Sequence, residues 1–279
     1  MKTNTIIAAG ALFVLGLIAC EKDREQDPSP TPDPPQQELP NPLPPEALLR
    51  ELRWSENDFY DFQYNAKDQA SKIHYQYQYV QNDPTKIRTL DYDIQYDAQD
   101  RPELIRYTGG FSTRYFYHGD LIHRTKEFYP GGDWAKEVTY IYADNRIVRE
   151  NWLVNGYAGE PVSVYKYEFG YDKKGNLAKV ETYEQVVDSV SGQLRDVLLE
   201  TVEYSQFDDR INPNSWMLRY PFLPQVRWQF NNPGREEHRL AGGESAVITY
   251  TYSYNDKGLP VVRQRSTPNG TYSMKYLYR

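Results

Sequence analysis

The feature that most narrows the fold is a set of tyrosines placed at every second residue. Tyr75, Tyr77 and Tyr79 alternate with Gln76 and Gln78, and Tyr165, Tyr167, Phe169 and Tyr171 alternate with Lys166, Glu168 and Gly170. Tyr250, Tyr252 and Tyr254 repeat the spacing, as do Tyr276 and Tyr278 at the end of the chain. Successive side chains of a strand point to opposite faces, so each run has an aromatic face and a polar face. That pattern belongs to an antiparallel sheet with one face on a core and the other in water. The chain holds 26 Tyr against 10 Phe and 5 Trp, so phenols should build much of that core.

Turn signals punctuate the alternation at two ends. Tyr64-Asn65-Ala66-Lys67-Asp68, Tyr96-Asp97-Ala98-Gln99-Asp100-Arg101, Tyr171-Asp172-Lys173-Lys174-Gly175-Asn176 and Tyr254-Asn255-Asp256-Lys257-Gly258 each close a strand. Tyr117-His118-Gly119-Asp120, Tyr142-Ala143-Asp144-Asn145 and Phe207-Asp208-Asp209-Arg210 are shorter or degenerate copies. Asp and Asn bond back to the local backbone, and Gly or Asn takes the left-handed position that such a turn needs. Ser55 to Asp58, Gln81 to Pro84, Pro130 to Asp133 and Pro268-Asn269-Gly270 supply turns for the opposite end. The runs predict about 14 to 16 antiparallel strands in an up-and-down meander, and a sheet that long should curl into an open or closed barrel or arch. The β-domain is expected to occupy residues 47–279.

Before it come two segments of another character. Ile6 to Ala19 is an uncharged apolar run of 14 residues behind Lys2, too short to span a bilayer but suited to a secretory signal. It ends in Leu17-Ile18-Ala19-Cys20, with the chain's single cysteine. This resembles the lipobox of bacterial lipoproteins, and the resemblance implies cleavage after residue 19 and acylation of Cys20. Residues 20–46 begin with the charged Glu21 to Asp27, and Pro28 to Pro45 contains nine of the 19 prolines. Such a segment should be an extended tether able to reach about 75 Å.

Two wider resemblances follow from these motifs. The turn units resemble the tyrosine-aspartate (YD/RHS) repeat, most closely at Tyr171 to Leu177. The chain as a whole resembles lipoproteins of the Bacteroides group that carry a domain of unknown function with a porin-like fold. The lipobox, the tether, the degenerate repeats and a late insertion carry that likeness. The insertion reads Phe207-Asp208-Asp209-Arg210-Ile211-Asn212-Pro213 and later Asn231-Asn232-Pro233. The resemblance implies a curled antiparallel sheet on the outer membrane, exposed at the cell surface or facing the periplasm. It carries no catalytic residues.

Chemistry-bearing patterns are sparse. Gly243-Glu244-Ser245-Ala246-Val247 lacks the final Gly of a nucleophile elbow, and no His-Glu-x-x-His or phosphate loop is present. His118 and His123 stand five residues apart across a turn, Glu236-Glu237-His238 reads as a charged loop, and Asp91 with Asp93 shares a strand face. None makes a metal or cofactor site, and no catalytic residue is assigned. A net charge of −7 argues against nucleic acid as a partner.

Trp134 and Trp216 sit by hairpin tips, where stacking on a sugar or partner is open to them. Trp54, Trp152 and Trp228 read as core. The reading that best fits is a lipid-anchored, non-enzymatic binding module for a glycan or an outer-membrane protein partner. The alternatives are a periplasmic carrier or assembly protein with an apolar ligand on the concave Tyr face, and a hydrolase built on two carboxylates.

Overall fold

Sixteen strands follow one another up and down in the computed structural model, which describes residues 45–80, 83–156, 162–188, 191–213 and 228–279. Cys20 and Trp216 lie outside the described residues. After a 3-10 turn at Pro45–Ala47, the first eight strands are β1 Leu49–Ser55, β2 Asp58–Tyr64, β3 Ala70–Gln78, β4 Ile87–Tyr96, β5 Pro102–Tyr107, β6 Ser112–His118, β7 Leu121–Phe128 and β8 Trp134–Ala143. The second eight are β9 Arg146–Val154, β10 Ser163–Tyr171, β11 Leu177–Val187, β12 Leu194–Ser205, β13 Arg235–Leu240, β14 Ser245–Tyr254, β15 Pro260–Thr267 and β16 Gly270–Tyr278. Each pairs antiparallel with its sequence neighbours, and β16 pairs with β1, so the sheet closes into a barrel. Closure leaves no edge strand to pair with another chain.

All the Tyr-Asx turns gather at one end. Their chemistry is the same in each full copy: the Asx Oδ1 accepts from the backbone N–H two and four residues on. Asn65 does so from Lys67 and Gln69, Asp97 from Gln99 and Arg101, Asp172 from Lys174 and Asn176, and Asn255 from Lys257 and Leu259. The residue after the first of these donors takes a positive φ: 60° at Asp68, 62° at Asp100, 89° at Gly175 and 73° at Gly258. Aspartate therefore fills in two turns a place that glycine takes in the others, as its short polar side chain permits.

The register slips by one residue beside these turns, for example between Gln63 and Tyr64, between Gln95 and Tyr96, and between Ser253 and Tyr254. The slip leaves an extra residue in the strand after the turn, so its inward positions are three apart: Leu49 and Leu52, Ala70 and Ile73, Pro102 and Ile105, Leu177 and Val180 are all buried or at the buried margin. The carbonyl of the residue at or next to the start of that strand is taken by a tyrosine from the adjoining hairpin. Tyr64 Oη donates to Leu49 O at 2.6 Å, Tyr96 to Ala70 O at 2.7 Å, Tyr117 to Pro102 O at 2.7 Å, Tyr142 to Ile122 O at 2.9 Å and Tyr171 to Ile147 O at 2.7 Å. Tyr278 continues the ring with 2.6 Å to Pro260 O. Burial holds Tyr64, Tyr96, Tyr117, Tyr142 and Tyr278 well above the usual phenol pKa, so they stay protonated donors.

The long connection between β12 and β13 interrupts the ring and substitutes for it. Gln229 Nε2 donates to Leu177 O at 3.4 Å, and Asn176 Oδ1 accepts from the backbone N–H of Phe230 and Asn231, both at 2.9 Å. Tyr254 donates to Asp208 Oδ2, and Tyr252 to Pro233 O at 3.0 Å. Trp228 is 1% exposed, with its ring 4.7 Å from that of Phe169. Gly175 is required here: besides its positive φ, a Cβ would lie 2.8 Å from the Arg146 guanidinium and 3.3 Å from the Phe230 ring.

The remaining tyrosines fill the interior. Tyr60 stacks on Tyr75 at 4.1 Å, Tyr75 on Tyr77 at 5.0 Å, and Tyr92 meets Tyr107 edge-on at 5.2 Å. With them lie Leu52, Ile105, Ile122, Val138, Ile147 and Met274, each 2% exposed or less. These side chains form one hydrophobic cluster on the inner face of the wall.

Tyr96→Phe keeps the ring and removes the hydroxyl, leaving the Ala70 carbonyl without its donor. A loss of about 1–2 kcal/mol in chemical denaturation is expected, whereas Tyr272→Phe at the exposed opposite end should stay within about 0.5 kcal/mol of the parent.

Candidate binding site at the barrel mouth

The two faces of the wall differ in polarity. Opposed residues share a face, and those opposite the buried set point outward: Lys72 with Asp93, His74 with Asp91, Arg149 with Glu168, Lys166 with Asp196 and Arg239 with Glu203. Guanidinium groups also cover outer aromatics, as Arg124 does Phe116 at 4.4 Å and Arg53 does Phe59 at 5.0 Å. Asp91 and Asp93 are therefore outer-wall residues held by cations. A membrane-spanning barrel has the reverse arrangement, with an apolar band outside and polar residues within.

One end carries the tyrosine ring, and the other is apolar at its rim. Tyr79, Val80, Val162, Val187, Leu194 and Leu240 are exposed there. Leu194 to Leu198 pair with β11, while β13 joins β12 only from Glu200 onward, so the β11–β12 hairpin projects past the rim. Beneath the rim, between β1, β14, β15 and β16, lies a cavity of about 450 Å³. Trp54 and Tyr272 form its lip, 38% and 51% exposed, and Met274, 1% exposed, forms part of its floor. Trp54 reads as core in the sequence; the slip between Arg53 and Ser55 and the end of the strand bring it to the mouth instead, 5.9 Å from Tyr60.

Arg263 and Arg265 line the same cavity from β15. Arg263 opposes Tyr252 and Met274, and Arg265 opposes Tyr250 and Tyr272, which puts both on the inner face. Arg263 Nε is buried without a hydrogen-bond partner, and its Nη2 meets only the Met274 sulfur, at 3.7 Å. The Tyr250 ring lies 5.2 Å from its guanidinium.

Next to this wall, Glu236-Glu237-His238 forms strand β13 rather than the charged loop its composition suggests. Glu237 points outward to Arg235 and Arg239, at 2.7 and 3.0 Å. Glu236 and His238 point inward, opposite Ile248 and Ala246. His238 Nδ1 lies 2.7 Å from Glu200 Oε1, its Nε2 lies 2.5 Å from Glu236 Oε1, and Tyr250 donates to the other Glu236 oxygen. Strand geometry tolerates these charges because they satisfy one another. Both imidazole nitrogens face carboxylates, which leaves neither as a base or a metal ligand. Burial alone would lower the His238 pKa, but the hydrogen bonds to Glu200 and Glu236 outweigh it and raise it.

Trp134 begins β8 directly after its turn and faces the outer wall opposite Phe128, with Lys126 Nζ 5.6 Å from its ring. It is thus remote in orientation from the cavity. His118 and His123 are both exposed at the end that carries the tyrosine ring. Among the described residues no group of three His, Cys, Asp or Glu is placed to hold a metal ion.

No protein-family model and no curated protein matches the chain. Two solved structures share its fold. A porin-like protein from Bacteroides vulgatus superposes with a TM-score of 0.58 at 11% identity, over 83% of this chain and 98% of that one. A porin-like protein from Bacteroides uniformis gives 0.55 at 10% identity, over 85% and 98%. The class defined by fold is thus a porin-like, sixteen-stranded antiparallel barrel.

The His238 network makes a signed prediction. A folded pKa raised above the unfolded 6.5 stabilises fully below the unfolded value and ceases to do so as pH rises through the folded one. His238→Gln should therefore cost more stability at pH 6 than at pH 10, which thermal denaturation of both forms at the two pH values would read.

Proposed function

We propose that the protein is a non-enzymatic binding module of the outer membrane, anchored by lipid on Cys20 and carrying its ligand site at the barrel mouth. The observation behind this reading is the polarity of the wall. Arg or Lys on a lipid-facing barrel surface costs about 2–4 kcal/mol each near the bilayer midplane, and the outer face carries many of them in ion pairs. A barrel of this kind stays in water.

Membrane attachment then falls to the lipobox cysteine, and the proline-rich tether holds the barrel clear of the surface. Likeness of fold to porin-like Bacteroides proteins supports a cell-envelope setting, and the Tyr-Asx turns, which resemble YD/RHS units, gather here at one end. The cavity under Trp54 and Tyr272 is of ligand size. The carboxylates that could suggest hydrolysis are otherwise engaged, Asp91 and Asp93 on the outer wall and Asp208 in bonds to Asn232 and Tyr254. The exposed apolar rim favours one second reading, docking of the mouth on an outer-membrane protein.

The test is fractionation of cells expressing the full chain and Cys20→Ser. The parent should resist extraction of membranes at alkaline pH, and the variant should be recovered in the soluble fraction. The parent in planar bilayers should carry no ion current. Steady conductance, or retention of Cys20→Ser in alkali-washed membranes, would make the barrel itself the membrane element and overturn the reading. Protease added to intact cells decides the facing: cleavage with a periplasmic control intact places the barrel outside, and protection places it in the periplasm.

A further inference from the structure

Several interior charges of the barrel are matched. Glu127 pairs with Lys136 at 3.2 Å, Glu150 accepts from Trp152 Nε1 at 2.8 Å, and Glu200, His238 and Glu236 satisfy one another. Arg263 and Arg265 are not matched in this way, and neither is Asp58 on β2, whose carboxyl burial pushes up. Neither arginine makes an ion pair with a carboxylate among the described residues, and the buried Nε of Arg263 has no acceptor. Two partly buried guanidinium groups without an anion are costly. They stand two residues apart on one strand face, about 7 Å, with Arg263 deep and Arg265 near the mouth.

The surroundings narrow what could answer them. Trp54 and Tyr272 present aromatic surface at the lip, suited to stacking on the apolar face of a ring. Thr267 beside them offers a hydroxyl for polar substituents. Met274 lies on the floor of the cavity, and Tyr276 behind it is 4% exposed. Guanidinium groups bind carboxylates through paired N–H donors.

We infer that this cavity binds a carboxylate-bearing sugar, a uronate residue of an acidic glycan, with Arg265 and Arg263 on the carboxylate and Trp54 and Tyr272 against the ring. The inference rests on the binding-module reading and names its ligand class. It relocates the stacking site from Trp134 on the outer wall to the mouth.

The test is calorimetric titration of the full-length protein in detergent with trigalacturonate, with a glucuronate-containing tetrasaccharide, with the methyl ester of trigalacturonate, and with laurate. At least one acidic sugar should bind, and esterification of trigalacturonate, where that binds, should weaken it at least tenfold. Arg265→Gln should weaken binding at least tenfold, Arg265→Lys should recover part of it, and Trp54→Ala should weaken it several-fold. Trp134→Ala should leave it unchanged. Thermal midpoints of the variants close to the parent's exclude a folding defect, and Trp54→Ala, at an exposed position, keeps the test open if an arginine variant unfolds. Failure of both acidic sugars, equal binding of the ester, or binding of laurate alone would overturn the assignment. Such failure would leave the fractionation and conductance results untouched, whereas retention of Cys20→Ser in membranes would sink the module reading without bearing on the sugar.

Discussion

Everything in this barrel depends on one bond repeated around one end, from a tyrosine hydroxyl to a carbonyl at the start of a strand. A bulge beside each Tyr-Asx turn takes that carbonyl out of the ordinary ladder, and a buried carbonyl without a donor is costly. A side chain that cures this must also fill space, because the same position faces the interior. Phe would fill the space and leave the carbonyl bare; Ser would donate and leave a void. Tyrosine does both, which accounts for 26 Tyr against 10 Phe in a chain whose core needs large rings. Each bond also joins one hairpin to the next, so the ring links the strand pairs into a closed wall.

The insertion between β12 and β13 tests that logic, because there the sequence abandons the pattern and the structure keeps its consequence. The Leu177 carbonyl is met by Gln229 and the interior space by Trp228, two residues doing what one tyrosine does elsewhere. Asn176 and Asp208 fasten the segment down through four backbone N–H groups, those of Phe230, Asn231, Arg210 and Asn232. The cavity lies at the opposite end, where a ligand can reach inner-face residues.

Much of the fold was legible in the residues because period-two tyrosines and Asx turns are local signals. They gave the strands, the two ends and the count. Closure was not legible: nothing local in Leu49 or Tyr278 says that they face each other, only that each ends a run. The bulges left a signal that alternation obscures, the three-residue spacing of Leu49 and Leu52, Ala70 and Ile73, or Leu177 and Val180, which looks like a broken strand until the slip is known. The site was read least well. Trp54 lies in a strand-like run, and only its place at the strand's end exposes it. Arg263 and Arg265 sit in Val-Val-Arg-Gln-Arg, where either parity could face water. Glu236 and His238 look like loop residues because two of three neighbours are acidic, yet alternation puts only one of those acids, Glu236, inside.

That last case shows how interior charge should be weighed. On β13 to β15, as on β7 to β9, the fold places charged side chains on the inner face. One group, Glu200 with His238 and Glu236, closes on itself and holds the short β13 between its neighbours, and a self-satisfied network needs no ligand to explain it. The arginines of β15 are different: Arg263 meets a thioether and an aromatic ring, and Arg265 the Tyr250 hydroxyl, instead of an anion. Outward rotation would have hydrated them at no cost to the sheet, since Val262 and Gln264, their neighbours, occupy the outer face. A strand that sends its valine to water and its arginines to the cavity has its polarity reversed relative to what stability alone favours. The reversal lies against the cavity at the mouth, and an anion entering there is the partner whose chemistry would right it.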